Sequence, residues 1–360
     1  MGRAHRSLGG GGRGLSLAEA VAAPVESRGQ TISAFLTANG WSGVEPAMLA
    51  GDASFRRYYR LKDAERSAVL MDAPPPQEDV GPYVTVAEIL QRLGLSAPHI
   101  HAQDRNRGFL LIEDFGDDTY TRLLAAGADE VALYALAIDT LVALQRRVAA
   151  EGLPDLPAYD DARLLGEAAL LTDWYAPAIL GKPLAAAARE AYLALWRKIL
   201  PDAALPGPTL VLRDYHVDNL MLLRDRPGVR ACGLLDFQDA VCGPAAYDLV
   251  SLLKDARRDV PAALRAPMTE RYLAAFPGID RAAFDRSATI LATQRNCKII
   301  GIFTRLWRRD GKPGYLRHIP RVWRLIEEDL RAPALAPMAA WLDRYLPAAV
   351  RRIPEARNAA

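Results

Sequence analysis

The chain has 360 residues, of which 51% are hydrophobic and 24% are charged, and these values suit a globular protein with one large two-lobed domain or two ordinary ones. Lys and Arg total 45 against 43 for Asp and Glu, so the formal charge of +2 gives no general case for nucleic acid or a membrane surface as a partner. No apolar run reaches the ~18 residues that a membrane helix needs, and the N-terminus has no apolar signal core.

The cysteines are few, odd in number and without the spacing of metal ligands: Cys232, Cys242 and Cys297. We therefore expect reduced, mostly buried thiols in a cytoplasmic protein. We also expect a monomer.

The first 28 residues are mostly Gly, Arg, Ser and Ala and predict a mobile tail, because such a segment buries too little apolar surface to offset its ordering. Thr31 to Asn39 then predicts a short amphipathic helix that ends before Gly40. Farther along, Pro82 to Leu93 predicts a second helix with its apolar residues on one side.

A polar turn and a basic, aromatic strand occupy positions 51–61, which read Gly-Asp-Ala-Ser-Phe-Arg-Arg-Tyr-Tyr-Arg-Leu. Backbone N–H groups near Ser54 and Phe55, with the cations of Arg56 and Arg57, suit the binding of nucleotide phosphates. The segment lacks Gly-x-Gly-x-x-Gly spacing. Taken alone, without Asp214 and Asp236 farther along the chain, it is more typical of an ordinary β-turn with solvated arginines.

From position 118 the pattern is mostly helical, and the segment 159–175 interleaves acids with aromatic residues. Aromatic faces and carboxylates are the groups that bind sugars, so this segment is the leading candidate for an acceptor site. The alternative is a helix N-terminus with capping acids above a packed Trp. The candidate ligands are Asp161, Glu167, Trp174 and Tyr175.

Two short apolar runs, Leu210–Leu212 and Leu220–Leu223, predict buried strands on either side of a polar loop. The loop carries Asp214 and Asn219, and Asp236 follows the next predicted strand. The alternative is a purely structural role, in which these are turn residues that cap a β-hairpin.

Phosphoryl transfer needs these groups. A carboxylate accepts the proton of the attacking hydroxyl, while an amide oxygen and a second carboxylate hold magnesium on the nucleotide phosphates. Asp214 is therefore the predicted catalytic base, and Asn219 and Asp236 are the predicted magnesium ligands. Asp248 is expected to cap the next helix or to support the loop.

The sequence here resembles a known family. Leu-Arg-Asp-Tyr-His-Val-Asp-Asn-Leu-Met at 212–221 and Leu-Leu-Asp-Phe-Gln-Asp-Ala at 234–240 are similar to the aminoglycoside phosphotransferase branch of the protein-kinase-like fold. Within that branch they resemble the bacterial anomeric kinases of N-acetylmuramate and N-acetylglucosamine. His216 matches the loop His of the family, whereas Leu212 stands where a His usually begins the motif.

The resemblance implies an α+β, two-lobed protein-kinase-like fold, with a small β-rich N-lobe at 29–114 and a larger helical C-lobe at 115–360. It implies ATP and Mg²⁺ as cofactors and an amino sugar phosphorylated at C1, in the recycling of cell-wall peptidoglycan. Backbone groups near Glu113 and Phe115 would bind adenine at the hinge, and His216 would lie near the sugar. A kinase of an aminoglycoside, choline or a hydroxy amino acid, and a non-catalytic nucleotide-binding protein, remain alternatives.

The main departure from the family is Met71, because kinases of this fold carry a Lys on the third strand to hold the nucleotide phosphates. We expect Arg57 or Arg60 to replace that charge. The lactyl carboxylate of a muramate acceptor would also need a cation, and Arg305, with Arg295 and Lys298 as further candidates, could supply it. Arginines that snorkel on the surface of the C-lobe are the alternative for each of these.

Overall fold

The computed structural model describes residues 27–51 and 55–355. Most of the predicted tail, and Ser54, therefore lie outside the described residues. The chain divides into two compact units between Gly43 and Val44. The described part of the first unit contains helix α1, Arg28–Ala38. It begins three residues earlier than predicted because Ser27 and Gln30 form a reciprocal capping box.

The second unit begins with an antiparallel sheet that has the strand order β1-β2-β3-β5-β4 in the described residues. One helix, α2, interrupts the strands, and its buried residues belong to the same apolar cluster as Val69 and Met71. Gly108 precedes β5 with a φ of 71°, where a side chain would collide with the carbonyl of Ala73. The elements are β1 Ala47–Gly51, β2 Arg57–Lys62, β3 Ser67–Asp72, α2 Gly81–Arg92, β4 Ile100–Asp104 and β5 Phe109–Glu113.

The chain after β5 is mainly helical. The longest helix described, α10, packs against α5, α8 and α11, so it forms the centre of this region. The helices are α3 Tyr120–Ala125, α4 Glu130–Glu151, α5 Asp161–Ala168, α6 Ala176–Leu180, α7 Ala186–Ile199, α8 Ala246–Leu253, α9 Ala262–Ala274, α10 Arg281–Asp310, α11 Ile319–Asp329 and α12 Ala336–Tyr345.

Two short antiparallel ladders lie among these helices. Strand β6, Pro208–Val211, pairs with β9, Val241–Pro244. Strand β7, Leu220–Leu222, pairs with β8, Cys232–Leu234. The loop between β6 and β7 and the end of β8 are thereby brought side by side, as the sequence predicts.

The predicted arrangement of a small β-rich region followed by a larger helical one is confirmed. The predicted boundary between lobes at residues 114 and 115 falls between β5 and α3 and stays a prediction. All three cysteines are free thiols, and two of them are buried. Among the described residues, no helix is both long and apolar enough to cross a membrane.

Candidate active site

The loop between β6 and β7 begins with a backbone conformation that is uncommon for a residue with a side chain. Arg213 has a φ of 69° and Asp236, after β8, has a φ of 55°. The buried carboxylate of Asp248 accepts hydrogen bonds from the backbone N–H groups of Leu212, at 2.6 Å, and Arg213, at 2.9 Å. Asp248 therefore supports the loop, which was one of its two predicted roles.

The three predicted catalytic residues converge. The amide nitrogen of Asn219 donates to the backbone oxygen of Asp214 at 2.9 Å and lies 3.4 Å from a carboxylate oxygen of Asp236. The backbone N–H of Leu235 donates to the carbonyl of Asn219 at 3.0 Å, which ties β8 to the loop. Gln238 Nε2 donates to Asp236 Oδ1 at 2.8 Å and orients that carboxylate.

This donor set fits Mg²⁺, which prefers hard oxygen ligands and usually takes one or two carboxylates together with substrate phosphates. The amide nitrogen of Asn219 is engaged by a carbonyl, so its oxygen is the atom that it can offer to a cation. The described residues contain no group of three or more His, Cys, Asp or Glu side chains that could hold a metal. Asn219 and Asp236 would thus depend on phosphate oxygens to complete a site.

The half-buried carboxyl of Asp214 lies in a positive field. Burial opposes its ionisation, but the charges of Lys298, Arg295 and Arg213 outweigh that effect and hold its pKa below the ordinary value. Asp214 is therefore a carboxylate at neutral pH. It can accept a proton.

For the buried ring of His216, burial and the charge of a neighbouring arginine shift the pKa in the same direction. Burial, reinforced by the charge of Arg257, lowers its pKa to about 4. Its Nε2 lies 3.2 Å from the Arg257 guanidinium and 3.5 Å from the Asn219 amide nitrogen. His216 is thus neutral at physiological pH, and it offers an acceptor atom rather than a charge.

Two cavities meet at the metal-ligand candidates. A cavity of about 420 Å³ lies between the sheet and the helical region, with apolar walls from Tyr58, Val69 and Leu235. A second cavity of about 760 Å³ contains Asp214 and His216. The residues that line both are Asn219, Asp236 and Tyr315.

Glu113 and Phe115, predicted to lie at the adenine hinge, line the smaller cavity. The guanidinium of Arg226 contacts the Glu113 carboxylate and lies 5.1 Å from the centre of the Phe115 ring. The Phe115 ring also packs directly against the backbone of Gly233. A Cβ atom at position 233 would lie only 2.9 Å from the ring, so the packing requires a glycine. The hinge is therefore tied to the helical region at this point.

The arginines at the start of β2 face different sides. Tyr58 and Arg60 line the smaller cavity. Arg56 immediately precedes the strand, two positions before Tyr58, whereas Arg57 has the opposite direction in the alternation of β2. Arg56 Nη2 lies 3.8 Å from Asp236 Oδ1, whereas Arg57 is exposed. Arg57 lines neither cavity, so its contact with the phosphates stays a prediction, and the geometry favours Arg56.

Two further residues of this region are already engaged. Arg60 faces the cavity but is held by the carboxylates of Asp114, at 2.8 Å, and Asp117, at 3.1 Å. The Phe55 ring is 67% exposed, and its backbone N–H donates to Glu78 at 3.0 Å. The charge of Arg60 is thus balanced by two carboxylates, whereas Arg56 lies beside Asp236 at the junction of the cavities, so Arg56 is the better candidate to replace the absent Lys at Met71.

The residues predicted for the acceptor between 159 and 175 do not line the larger cavity. Asp161 is exposed at the start of α5, where its neighbour Asp160 caps the helix, and the Tyr175 hydroxyl is buried and donates to the carbonyl of Val350 at 2.7 Å. Trp174 lies beside Tyr175 on a π-helical turn and contacts neither cavity. The alternative of a helix N-terminus over packed aromatic residues describes this segment better.

Glu167 serves the site indirectly. Its carboxylate pairs with Arg213 at 2.5 Å and Lys298 at 2.9 Å, and it accepts a hydrogen bond from the Tyr159 hydroxyl. These two cations outweigh the effect of burial and lower its pKa. Glu167 therefore positions the cations around Asp214 instead of facing an acceptor.

The cations of the larger cavity come mainly from α10 and the segment that follows it. Arg295 and Lys298 line this cavity, whereas Arg305 does not. The geometry therefore favours Arg295 or Lys298, rather than Arg305, as the cation that would bind a carboxylate of the acceptor. Arg295 and Lys298 are three positions apart on α10, so they lie on the same face of the helix. Sequence reasoning missed Arg257, which reaches the cavity from the loop after α8.

Comparison with known proteins agrees with this geometry. The family described as "Phosphotransferase enzyme family" matches residues 47–285. The chain belongs to the phosphotransferase enzyme family. The predicted family resemblance and phosphotransferase activity are thereby confirmed.

Relatives of this phosphotransferase include the N-acetylmuramate/N-acetylglucosamine kinase of Caulobacter vibrioides, which is 38% identical over 353 residues, or 89% of this chain and 97% of the relative. The protein of the same name from Pseudomonas aeruginosa is 43% identical over 320 residues, or 85% of this chain and 90% of the relative.

Solved structures share the fold at low identity. A putative aminoglycoside phosphotransferase from Ralstonia eutropha has a TM-score of 0.60 at 15% identity and covers 84% of this phosphotransferase and 97% of that chain. The choline kinase LicA of Streptococcus pneumoniae also has a TM-score of 0.60, at 11% identity, covering 84% and 99%. These likenesses confirm the predicted kinase-like fold.

Proposed function

We propose that this phosphotransferase transfers the γ-phosphoryl group of ATP to the anomeric C1 hydroxyl of N-acetylmuramate, N-acetylglucosamine or both. The product would be the sugar 1-phosphate, in the recycling of peptidoglycan. The observation that carries the proposal is the junction of the two cavities at Asn219 and Asp236, with Asp214 on the acceptor side only. The names of the bacterial relatives support the choice of sugar.

In the proposed reaction Asp214 accepts the proton of the acceptor hydroxyl as that oxygen attacks the γ-phosphorus. The bond from the γ-phosphorus to the bridging oxygen breaks in the same step, and ADP leaves. An anomeric hydroxyl is more acidic than an ordinary alcohol, so a carboxylate of lowered pKa is an adequate base. Asn219 and Asp236 would hold magnesium, which when bound neutralises charge on the phosphate oxygens. Arg56, on the opposite wall of the cleft, would add a positive charge beside the same phosphates.

The charges of the larger cavity support a neutral or anionic acceptor over a polycationic one. Its cations include Arg257, Arg295, Lys298 and Arg317, and its walls include Ile302 and Phe303. Four aspartates also line the cavity, so its charges are mixed and not strongly acidic. An aminoglycoside, which is polycationic, would not find the acidic groove that it needs here. An amino sugar would face apolar walls and hydrogen-bond donors instead.

An ATP-consumption screen over amino sugars, aminoglycosides, choline and hydroxy amino acids, with and without Mg²⁺, tests the proposal. We expect turnover with N-acetylmuramate or N-acetylglucosamine only when Mg²⁺ is present. Rapid release of phosphate from the product in mild acid would mark an anomeric phosphate. Turnover confined to a cationic acceptor, or an acid-stable product, would refute the proposed acceptor or position.

Use of ATP and the presence of free cysteines support a cytoplasmic location. The monomeric state stays a prediction from the sequence.

A further inference from the structure

One buried cation in the acceptor cavity forms no ion pair with the described residues. Arg295 lies on α10, is only 3% exposed and lines the larger cavity beside Asp214. Its Nη1 is shielded from water and has no hydrogen-bond partner in the described part of the chain. No Asp or Glu side chain among residues 27–51 and 55–355 lies within ion-pair distance of it.

The neighbouring cations differ from Arg295 in this respect. Lys298 and Arg213 both pair with Glu167, at 2.9 and 2.5 Å. Arg257 pairs with Asp218 at 3.3 Å. The cavity thus combines cations that already form ion pairs with one buried guanidinium that forms none with the described residues.

Burying a guanidinium without a partner is unfavourable, because the loss of its hydration is not repaid by another charge. Such a group is best explained by a ligand that supplies the missing anion. The planar fork of an arginine matches a carboxylate through two parallel hydrogen bonds, a geometry that a lysine cannot reproduce.

We propose that Arg295 determines acceptor specificity by binding a carboxylate on the acceptor. This inference rests on the proposed function. N-acetylmuramate carries a lactyl carboxylate at C3, whereas N-acetylglucosamine has a hydroxyl there and is otherwise the same sugar. Arg295 would therefore favour the first sugar over the second without contacting the C1 hydroxyl.

A purely electrostatic role makes a different prediction. Arg295 also lowers the pKa of Asp214, so its removal could weaken the base and slow both sugars alike. The ratio of kcat/KM for the two sugars separates these roles. A change in the base affects both sugars, whereas loss of a carboxylate contact affects one.

The experiment compares Arg295→Gln, Arg295→Lys and the wild type on both sugars. We expect Arg295→Gln to lower kcat/KM for N-acetylmuramate on the order of 100-fold more than for N-acetylglucosamine. Arg295→Lys should keep part of the preference, since the charge remains and the fork is lost. The exposed Arg309, on the last turn of the same helix, gives the control Arg309→Gln, which should leave the ratio unchanged.

A second measurement needs no variant. The methyl ester of N-acetylmuramate keeps the shape of the lactyl group and removes its charge, so the wild type should lose a similar factor with the ester. Equal losses for both sugars in Arg295→Gln, or an ester used as well as the acid, would overturn the inference while leaving the proposed function standing. A wild type that phosphorylates neither sugar would overturn both.

Discussion

The loop between β6 and β7 and the residue that leads into β2 both place charges around the junction of the two cavities, but they do so by different physical means. Asp214 and Asn219 are held by backbone bonds within the loop and by Asp248, which lies on α8. Arg56 immediately precedes β2 and reaches Asp236 from across the cleft. The comparison teaches that local spacing places the proposed base and metal ligands, whereas the proposed phosphate-binding cation depends on where a strand begins.

The largest expected effect lies on the loop side. Asp214→Asn keeps the size of the side chain and removes the proton acceptor, so kcat should fall by roughly 10²–10⁴-fold while ATP binding persists. Steady-state turnover and calorimetric titration of ATP measure the two quantities separately.

The control is Asp225→Asn, which alters an exposed acid in the turn after β7 and should leave both quantities unchanged. Turnover by Asp214→Asn at the wild-type rate would refute the role of Asp214 and with it the proposed mechanism.

The next largest effect is expected at Asp236, where the two cavities meet. Asp236→Asn removes one negative charge from the proposed magnesium site, so the Mg²⁺ concentration for half-maximal activity should rise by about 10-fold or more. A titration of activity with Mg²⁺ at saturating ATP measures it. Gln238→Leu, which removes a hydrogen bond to Asp236 without removing charge, should give a smaller shift in the same direction. An unchanged Mg²⁺ requirement in Asp236→Asn would exclude it as a ligand.

The loop could be predicted from sequence because its chemistry is local. Asp214 and Asn219 are five positions apart between two short apolar runs, and their contacts follow from that spacing. The positive φ at Arg213 could not be predicted, since it depends on the buried carboxylate of Asp248, 35 positions away.

The acceptor residues were harder to predict because side-chain direction depends on distant packing. Tyr175 reads like a sugar-binding aromatic residue, yet its hydroxyl bonds a carbonyl 175 positions away at Val350. Glu167 reads like an acceptor ligand, yet two cations from other elements neutralise it. Composition of a segment predicts which groups are present and not which cavity they face.

A smaller effect is expected for Arg56, and comparing it with Arg57 tests whether the direction of the side chain decides which arginine binds the nucleotide. Arg56→Gln should raise the KM for ATP by roughly 10-fold, because a charge-assisted contact with phosphate is lost. Arg57→Gln removes the same charge from the next residue, on the other face of the sheet, and should change the KM by less than about twofold. Equal effects of the two substitutions would show that general positive charge, rather than strand face, attracts the nucleotide.

The smallest expected effect is a shift in the acid limb of the pH–rate profile. The charges near Asp214 lower its pKa, so in the wild type the base stays ionised through neutral pH and activity is lost only below the ordinary carboxyl range. Lys298→Gln removes one of those charges, so the ionised form of Asp214 is less stabilised and its pKa rises. The acid limb of kcat/KM should therefore move to higher pH.

The same profile distinguishes the two sides of the cleft. Arg56 is not among the strongest charges that act on Asp214, so Arg56→Gln should move the acid limb less than Lys298→Gln does while it raises the KM for ATP. Lys182→Gln, an exposed lysine in the turn before α7, is the control for a simple loss of net charge. A limb that moves equally in Arg56→Gln and Lys298→Gln would mean that the field at Asp214 comes from the whole cleft, and the separation of loop and strand would then be wrong.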